Sequence, residues 1–188
     1  MVIGASAGGV SALRRLISQF EADWPVSVFI TIHTGRNVNV MPDILYPVSP
    51  LPVRFAEHNR PYGRGVYVAP PDRHLIVGST ATLLSTGPKE NHTRPAIDPM
   101  FRTAARHHGS RVIGVLLTGH LYDGMNGLYE IQQSGGTTIV QDPADAEVPE
   151  SPRNALTRLQ PEYVVPLDEI PNVIAQELQR KTAKKLRS

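Results

Sequence analysis

Val2-Ile3-Gly4-Ala5-Ser6-Ala7-Gly8-Gly9 is the stretch whose reading decides the fold. Residues 1–3 form a short apolar run of the kind found in a fully buried strand, and from Gly8 onward apolar residues recur at Val10, Leu13, Leu16, Ile17 and Phe20, the period of a helix. Ser6 is thereby predicted in a tight strand-to-helix turn. Gly4-Ala5-Ser6-Ala7-Gly8 has the G-x-S-x-G spacing of a nucleophile elbow, in which small flanking residues permit the turn and nearby N–H groups can hold an oxyanion. The competing pattern, a dinucleotide-binding turn, needs glycine at the central position so that backbone can approach a pyrophosphate. Ser6 occupies that position, and its side chain would block the approach.

Working outward, residues 26–32 (Val-Ser-Val-Phe-Ile-Thr-Ile) read as a second strand that runs straight into His33. Residues 111–117 (Arg-Val-Ile-Gly-Val-Leu-Leu) give a near-continuous apolar run, typical of a central parallel strand, and Asp123 follows it after a short loop. Helices are predicted over 95–107, 125–134 and 153–159 and from Asp168, with further strands at 137–141 and 163–165. The short runs between 53 and 85, separated by glycine and proline, read as hairpin strands. The expected fold is a doubly wound, mostly parallel α/β sheet with helices on both faces and an antiparallel hairpin region.

Composition narrows the class. A chain of 188 residues with 40% hydrophobic content is long enough for one substantial domain and too short for two of ordinary size. The formal net charge is +2, and much of the excess lies between Arg180 and Arg187, so residues 179–188 are expected to be a basic tail on a domain spanning 1–178. A near-neutral body lacks the basic stripe of a nucleic-acid-binding surface. With no cysteine, disulfides, thiolate metal sites and a cysteine nucleophile are excluded, which fits a cytoplasmic compartment. No apolar run of membrane-spanning length and no signal-peptide pattern occurs. Because the first strand begins at Met1, the sequence is expected to start at or just inside a domain boundary.

In open α/β sheets ligands bind beyond the carboxyl ends of the strands, and Ser6, His33 and Asp123 are all predicted there. An alcohol needs a base to become a nucleophile near neutral pH; an imidazole can take its proton, and a carboxylate can orient the imidazole and stabilise its cation. Each residue also has a simpler reading. Ser6 or Asp123 could cap a helix, and His33 could be an ordinary loop histidine.

With those residues in place, the sequence resembles the catalytic domain of the CheB-type protein-glutamate methylesterases. The resemblance rests on the opening stretch, Ile30-Thr31-Ile32-His33, residues 66–74 (VYVAPPDRH), His92-Thr93-Arg94-Pro95-Ala96-Ile97-Asp98, residues 114–119 (GVLLTG) with Asp123-Gly124, and Gln141-Asp142-Pro143. It implies Ser6 as nucleophile, His33 as general base and Asp123 as its orienting partner, acting on glutamate γ-methyl esters of receptor proteins with glutamine deamidation as a second activity. The amide of His120 is implied as an oxyanion donor, with Ala7 and Arg94 beside it as oxyanion or substrate-positioning residues. No metal or cofactor is implied. The implied partners are a methylated receptor or another signalling protein, and a receiver or methyltransferase domain in a larger chain or complex.

The sequence departs from the family near the site. His120-Leu121-Tyr122 replaces Met-Gly-Asn, Ala7 replaces a threonine, and Glu150 stands where many relatives carry methionine before the proline. Asp98 is expected either at the positive end of a helix or in substrate positioning. No receiver domain precedes Met1, so regulation by phosphorylation within the sequence is not expected. The alternative to an enzyme is a non-catalytic or retargeted signalling interaction domain on the same scaffold.

Overall fold

A computed structural model describes residues 1–33 and 40–185. The central sheet has seven strands in the order β10-β9-β8-β1-β2-β5-β3, every neighbouring pair parallel. In chain order these are β1 (Val2–Ala5), β2 (Ser27–Ile32), β3 (Val53–Phe55), β5 (Gly65–Val68), β8 (Ile113–Leu116), β9 (Thr137–Gln141) and β10 (Tyr163–Val165). A separate antiparallel sheet contains β4 (Arg60–Pro61), β7 (Ala81–Ser85) and β6 (His74–Val77). The expected hairpin region is therefore smaller than its sequence suggested. Strands β3 and β5 pair in parallel with each other, and β5 also pairs with β2, so only the later runs fold back as a hairpin.

The helices divide between the sheet's two faces. On one lie α1 (Gly9–Ile17), α2 (Met41–Leu45) and α6 (Ile170–Lys185), packed through Leu13, Leu16, Met41, Leu45 and Ile174 onto Ile3, Ile30, Val115 and Ile139. On the other lie α3 (Ile97–His108), α4 (Met125–Gln133) and α5 (Glu150–Arg158), packed through Ile97, Phe101, Leu128 and Ala155 onto Val2, Phe29, Leu116 and Val140. Successive strand residues thus feed opposite cores, as the period of two requires. Both faces are covered, which is why the central strands read as unbroken apolar runs.

From β1 the chain moves to β2 on one side and later returns to β8 on the other. That reversal opens a crevice at the carboxyl ends of β1 and β8, where this class of sheet places its ligands. Near it the helices come close. A Cβ on Gly4 would lie 2.4 Å from Ile97 Cγ2, and one on Gly127 would lie 2.5 Å from Phe101 Cβ and 3.1 Å from the Asp98 carbonyl oxygen. Small residues therefore let α3 settle onto β1 and α4 onto α3.

The tail expected from residue 179 does not separate from the domain. Helix α6 continues through position 178 to Lys185, because its apolar side packs on the sheet and Lys181 reaches the Ser110 carbonyl at 2.7 Å. Residues 186–188 lie outside the described part. Among the described residues no helix is long and apolar enough to cross a membrane.

Gly127→Ala separates packing from propensity. Alanine in a helix interior gains about 1 kcal/mol by propensity, whereas an added methyl in a full interface costs about 1–3 kcal/mol. The contact with Phe101 is short enough that packing wins, so denaturant unfolding is expected to show a net loss of stability; a gain would mean that α3 and α4 are not closely packed.

Candidate active site

Ser6 occupies the turn between β1 and α1. Its N–H donates to the Thr118 carbonyl at 3.0 Å, its own carbonyl accepts from Gly9 N–H at 2.8 Å, and Gly8 adopts φ 76°, a conformation that favours glycine. A Cβ on Gly119 would meet Ser6 Cβ at 2.7 Å, so the loop after β8 lies directly against the serine. The tight turn read from the glycines is present.

His33 follows β2 and extends its ladder, donating its N–H to the Ala5 carbonyl at 3.2 Å. The backbone bond sets the ring beside the β1 turn. His33 Nδ1 lies 3.2 Å from Ser6 Oγ, and Nε2 lies 2.7 Å from Asp123 Oδ2. With its proton on Nε2, facing the carboxylate, the ring presents the Nδ1 lone pair to the serine hydroxyl. This is the reverse of the ring orientation in the chymotrypsin template, with the same chemical sense. Thr93 Oγ1 stands 3.3 Å from Nε2, at the edge of the same contact.

Asp123 is 3% exposed, and a charge so placed is tolerated only with donors around it. Its Oδ2 accepts from His33 Nε2 and from Ile97 N–H at 2.6 Å; its Oδ1 accepts from Asn91 Nδ2 at 2.7 Å and Asp98 N–H at 3.1 Å. Burial pushes this carboxyl up, but the His33 bond, the helix N–H groups and the imidazole hold it below the ordinary value. Asp98 goes the other way: burial and the charge of Asp123 raise it, against the bonds from Gly127, Asn91 and Gly124.

The N–H groups of Ala7 and His120 have no acceptor among the described residues. The His120 side chain is 60% exposed and its Nδ1 lies 2.9 Å from Glu150 Oε2, so it turns away from Asp123. Arg94, expected to position substrate, is committed elsewhere. Its Nε donates to Asp72 at 2.8 Å, and one terminal nitrogen donates to the carbonyls of Thr86 and Gly87 at 2.9 and 2.8 Å. Those bonds spend the guanidinium on joining loops, a use that its place in the sequence does not reveal.

Asn91 and Thr93 are contacts that the sequence did not single out, although Thr93 lies inside one of the recognised blocks. Asp98 does sit in the first turn of α3, but its carboxylate serves a different helix. It accepts from Gly124 and Gly127 N–H, at 3.1 and 2.7 Å, at the start of α4. A cleft of about 620 Å³ is lined by Glu90, Asn91, Asp98, Arg102, Tyr129 and Arg158 among others.

Fold and side chains together define the class, an α/β protein with a hydrolase-type arrangement of hydroxyl, imidazole and carboxylate at the carboxyl edge of a parallel sheet. The chain belongs to the CheB methylesterase family, whose model matches residues 1–174. It is 36% identical over 173 residues to a putative protein-glutamate methylesterase/protein-glutamine glutaminase of Leptospira interrogans, covering 90% of each chain. It is also 38% identical over 182 residues to a protein-glutamate methylesterase/protein-glutamine glutaminase of Caulobacter vibrioides, where it spans 93% of its own length and 52% of that protein. The CheB methylesterase catalytic domain of Thermotoga maritima superimposes with a TM-score of 0.88 at 29% identity, with 95% of this chain and 96% of that one covered.

The lowered pKa of Asp123 has a sign that can be measured. The carboxylate contributes stability that is fully present above the ordinary value of 3.8 and lost as pH falls through its lowered folded value. Melting temperature below about pH 4 is therefore expected to fall more steeply for the parent than for Asp123→Asn, which has no charge there to lose. Parallel curves would contradict the assignment.

Proposed function

We propose that the chain hydrolyses glutamate γ-methyl esters on a methylated chemoreceptor or related signalling protein, through an acyl-enzyme on Ser6. The observation that carries this reading is the hydrogen-bonded run from Ser6 Oγ through His33 to Asp123, in a chain of the methylesterase family. Ser6 Oγ attacks the ester carbonyl carbon while His33 Nδ1 takes the hydroxyl proton. The resulting oxyanion is held by the free N–H groups of Ala7 and His120, which need no particular side chain. As the tetrahedral intermediate collapses, the carbon–methoxyl bond breaks and His33 returns the proton to leaving methanol. Water then attacks the acyl carbon, His33 takes its proton and gives it to Ser6 Oγ, and glutamate is released as the carboxylate. With glutamine as substrate the same steps expel ammonia, which gives the deamidase activity.

Asp123 keeps Nε2 protonated and stabilises the imidazolium formed in each attack. None of these steps calls for a metal or cofactor. The site opens at one sheet edge, which suits a side chain presented by another protein, and the setting we propose is cytoplasmic, with a receiver or methyltransferase domain as regulatory partner. The intact hydrogen-bond run favours this reading over an interaction domain without turnover, which would have no use for an imidazole joined to both a hydroxyl and a buried carboxylate.

Methanol release from methyl-esterified receptor tests the proposal. Ser6→Ala is expected to lower the rate by at least about a thousandfold, as loss of a nucleophile does. His120→Ala, which keeps the backbone amide, is expected to stay within about twofold of the parent. Equal rates for the parent and Ser6→Ala would contradict the acyl-enzyme, and a collapse in His120→Ala would contradict the backbone assignment.

A further inference from the structure

The carboxylates of Asp98 and Asp123 each reach across to the other's helix. Asp123 precedes α4 yet accepts from the first-turn N–H groups of α3, while Asp98 belongs to the first turn of α3 yet accepts from the start of α4. Like charges brought this close need something between them. The Asn91 carboxamide supplies it, donating from Nδ2 to Asp98 Oδ2 at 2.9 Å and to Asp123 Oδ1 at 2.7 Å.

The backbone beneath Asn91 is held in place. Asn91 and His92 both adopt positive φ, 50° and 65°, in the left-handed region where asparagine and histidine are among the better tolerated residues. The turn is closed by paired backbone bonds between Glu90 and Thr93, at 3.1 and 2.9 Å. It is tied to α3 by two bonds of 2.6 Å from Arg102 to the Glu90 carboxylate. An ion pair and two backbone bonds thus fix the turn that presents the Asn91 side chain.

We propose that Asn91, tethered by Asp98, is a positioning residue for this site: its carboxamide pins Asp123 Oδ1 so that Oδ2 stays aimed at His33 Nε2. The proposal rests on the reading that Ser6, His33 and Asp123 carry the chemistry. Without the amide, Oδ1 keeps only the Asp98 N–H, and the carboxylate is freer to rotate away from the imidazole. The ionisable groups around the pair are His33 on one side and Glu90 with Arg102 on the other, with His74 beyond Glu90 and Glu130 beyond Arg102. Neither Asn91→Ala nor Asp98→Asn touches the hydroxyl, the imidazole or the oxyanion donors.

Two variants break the bridge in different ways. Asn91→Ala removes the donor at an exposed turn and leaves both helix caps intact. Asp98→Asn keeps an oxygen for Gly124 and Gly127 but sets one amide against another where Asn91 had an acceptor. Each is expected to lower kcat by about ten- to a hundredfold, the usual loss for a partner once removed. KM is expected to stay within about twofold. Because both changes cut one link, the double variant is expected to lose no more than the worse single one.

The Nε2–H proton resonance of His33, which reports its hydrogen bond to Asp123, separates positioning from a purely structural role when it is followed by NMR. Both Asn91→Ala and Asp98→Asn let the Asp123 carboxylate turn from the ring, and each is expected to move that resonance upfield and to broaden it by exchange with water. Folded Asn91→Ala protein with the parent's Nε2–H resonance, or with kcat within about twofold of the parent, would overturn the proposal. If Asp98→Asn does not fold, Asn91→Ala decides alone. If the parent shows no Ser6-dependent turnover, the proposed function fails, and the Nε2–H resonance still decides whether Asn91 governs the His33–Asp123 contact.

Discussion

The Asp123 carboxylate lies out of water under the carboxyl edge of the sheet, and a buried charge is tolerated only where hydrogen-bond donors replace the lost solvent. Four do so: the His33 ring, the N–H groups of Ile97 and Asp98 at the start of α3, and the Asn91 amide. Together they tie three parts of the molecule to one carboxyl group. The end of β2 comes in through His33, α3 through its first turn, and the turn before it through Asn91. The carboxylate that is hydrogen-bonded to the imidazole therefore also caps a helix. A helix cap is worth about 0.5–2 kcal/mol, so site and scaffold depend on the same bonds.

How much of this was legible follows from what is local. The turn at Ser6 was readable because glycines bracket a small hydroxyl residue between a strand pattern and a helix pattern. His33 and Asp123 were readable because each follows an apolar run, and the ends of parallel strands meet at one edge. The cap reading and the catalytic reading of Asp123 were offered as alternatives; the structure gives its carboxylate both sets of bonds, on a helix other than its own. That crossing was not legible, since which two helix starts will face each other depends on how α3 and α4 pack at Gly127. Asn91 was hidden for the same reason, and so were the partners of Arg94, since Asp72, Thr86 and Gly87 lie in loops that flank the antiparallel strands. The antiparallel region was itself drawn too large. Short β-branched runs between turn residues read alike whether they pair in parallel at a sheet edge, as β3 and β5 do, or fold back as β6 and β7 do.

The departures from the family at 120–122 become intelligible in the same terms. The loop is fixed through its backbone: Gly119 N–H donates to the Val148 carbonyl, Ser151 N–H to the Gly119 carbonyl, and the Asn154 amide to the Leu121 carbonyl at 2.8 Å. Side chains take little part. His120 turns to Glu150, while Leu121 and Tyr122 are 52% and 56% exposed. Side chains at 121 and 122 can be exchanged without moving the His120 N–H, because the bonds that hold the loop use its backbone. The proposed oxyanion donor thus belongs to a part of the loop that is indifferent to residue type, while the exposed side chains of Leu121 and Tyr122 form its rim.

Labelling with a reactive alkyl phosphonate ester, followed by peptide mass spectrometry, tests the central claim most directly, because it reads the activated nucleophile without a receptor substrate. The account predicts a single adduct on Ser6, formed rapidly in the parent and greatly slowed in His33→Ala. Labelling of another residue, or equal labelling of Ser6 in the two proteins, would contradict it.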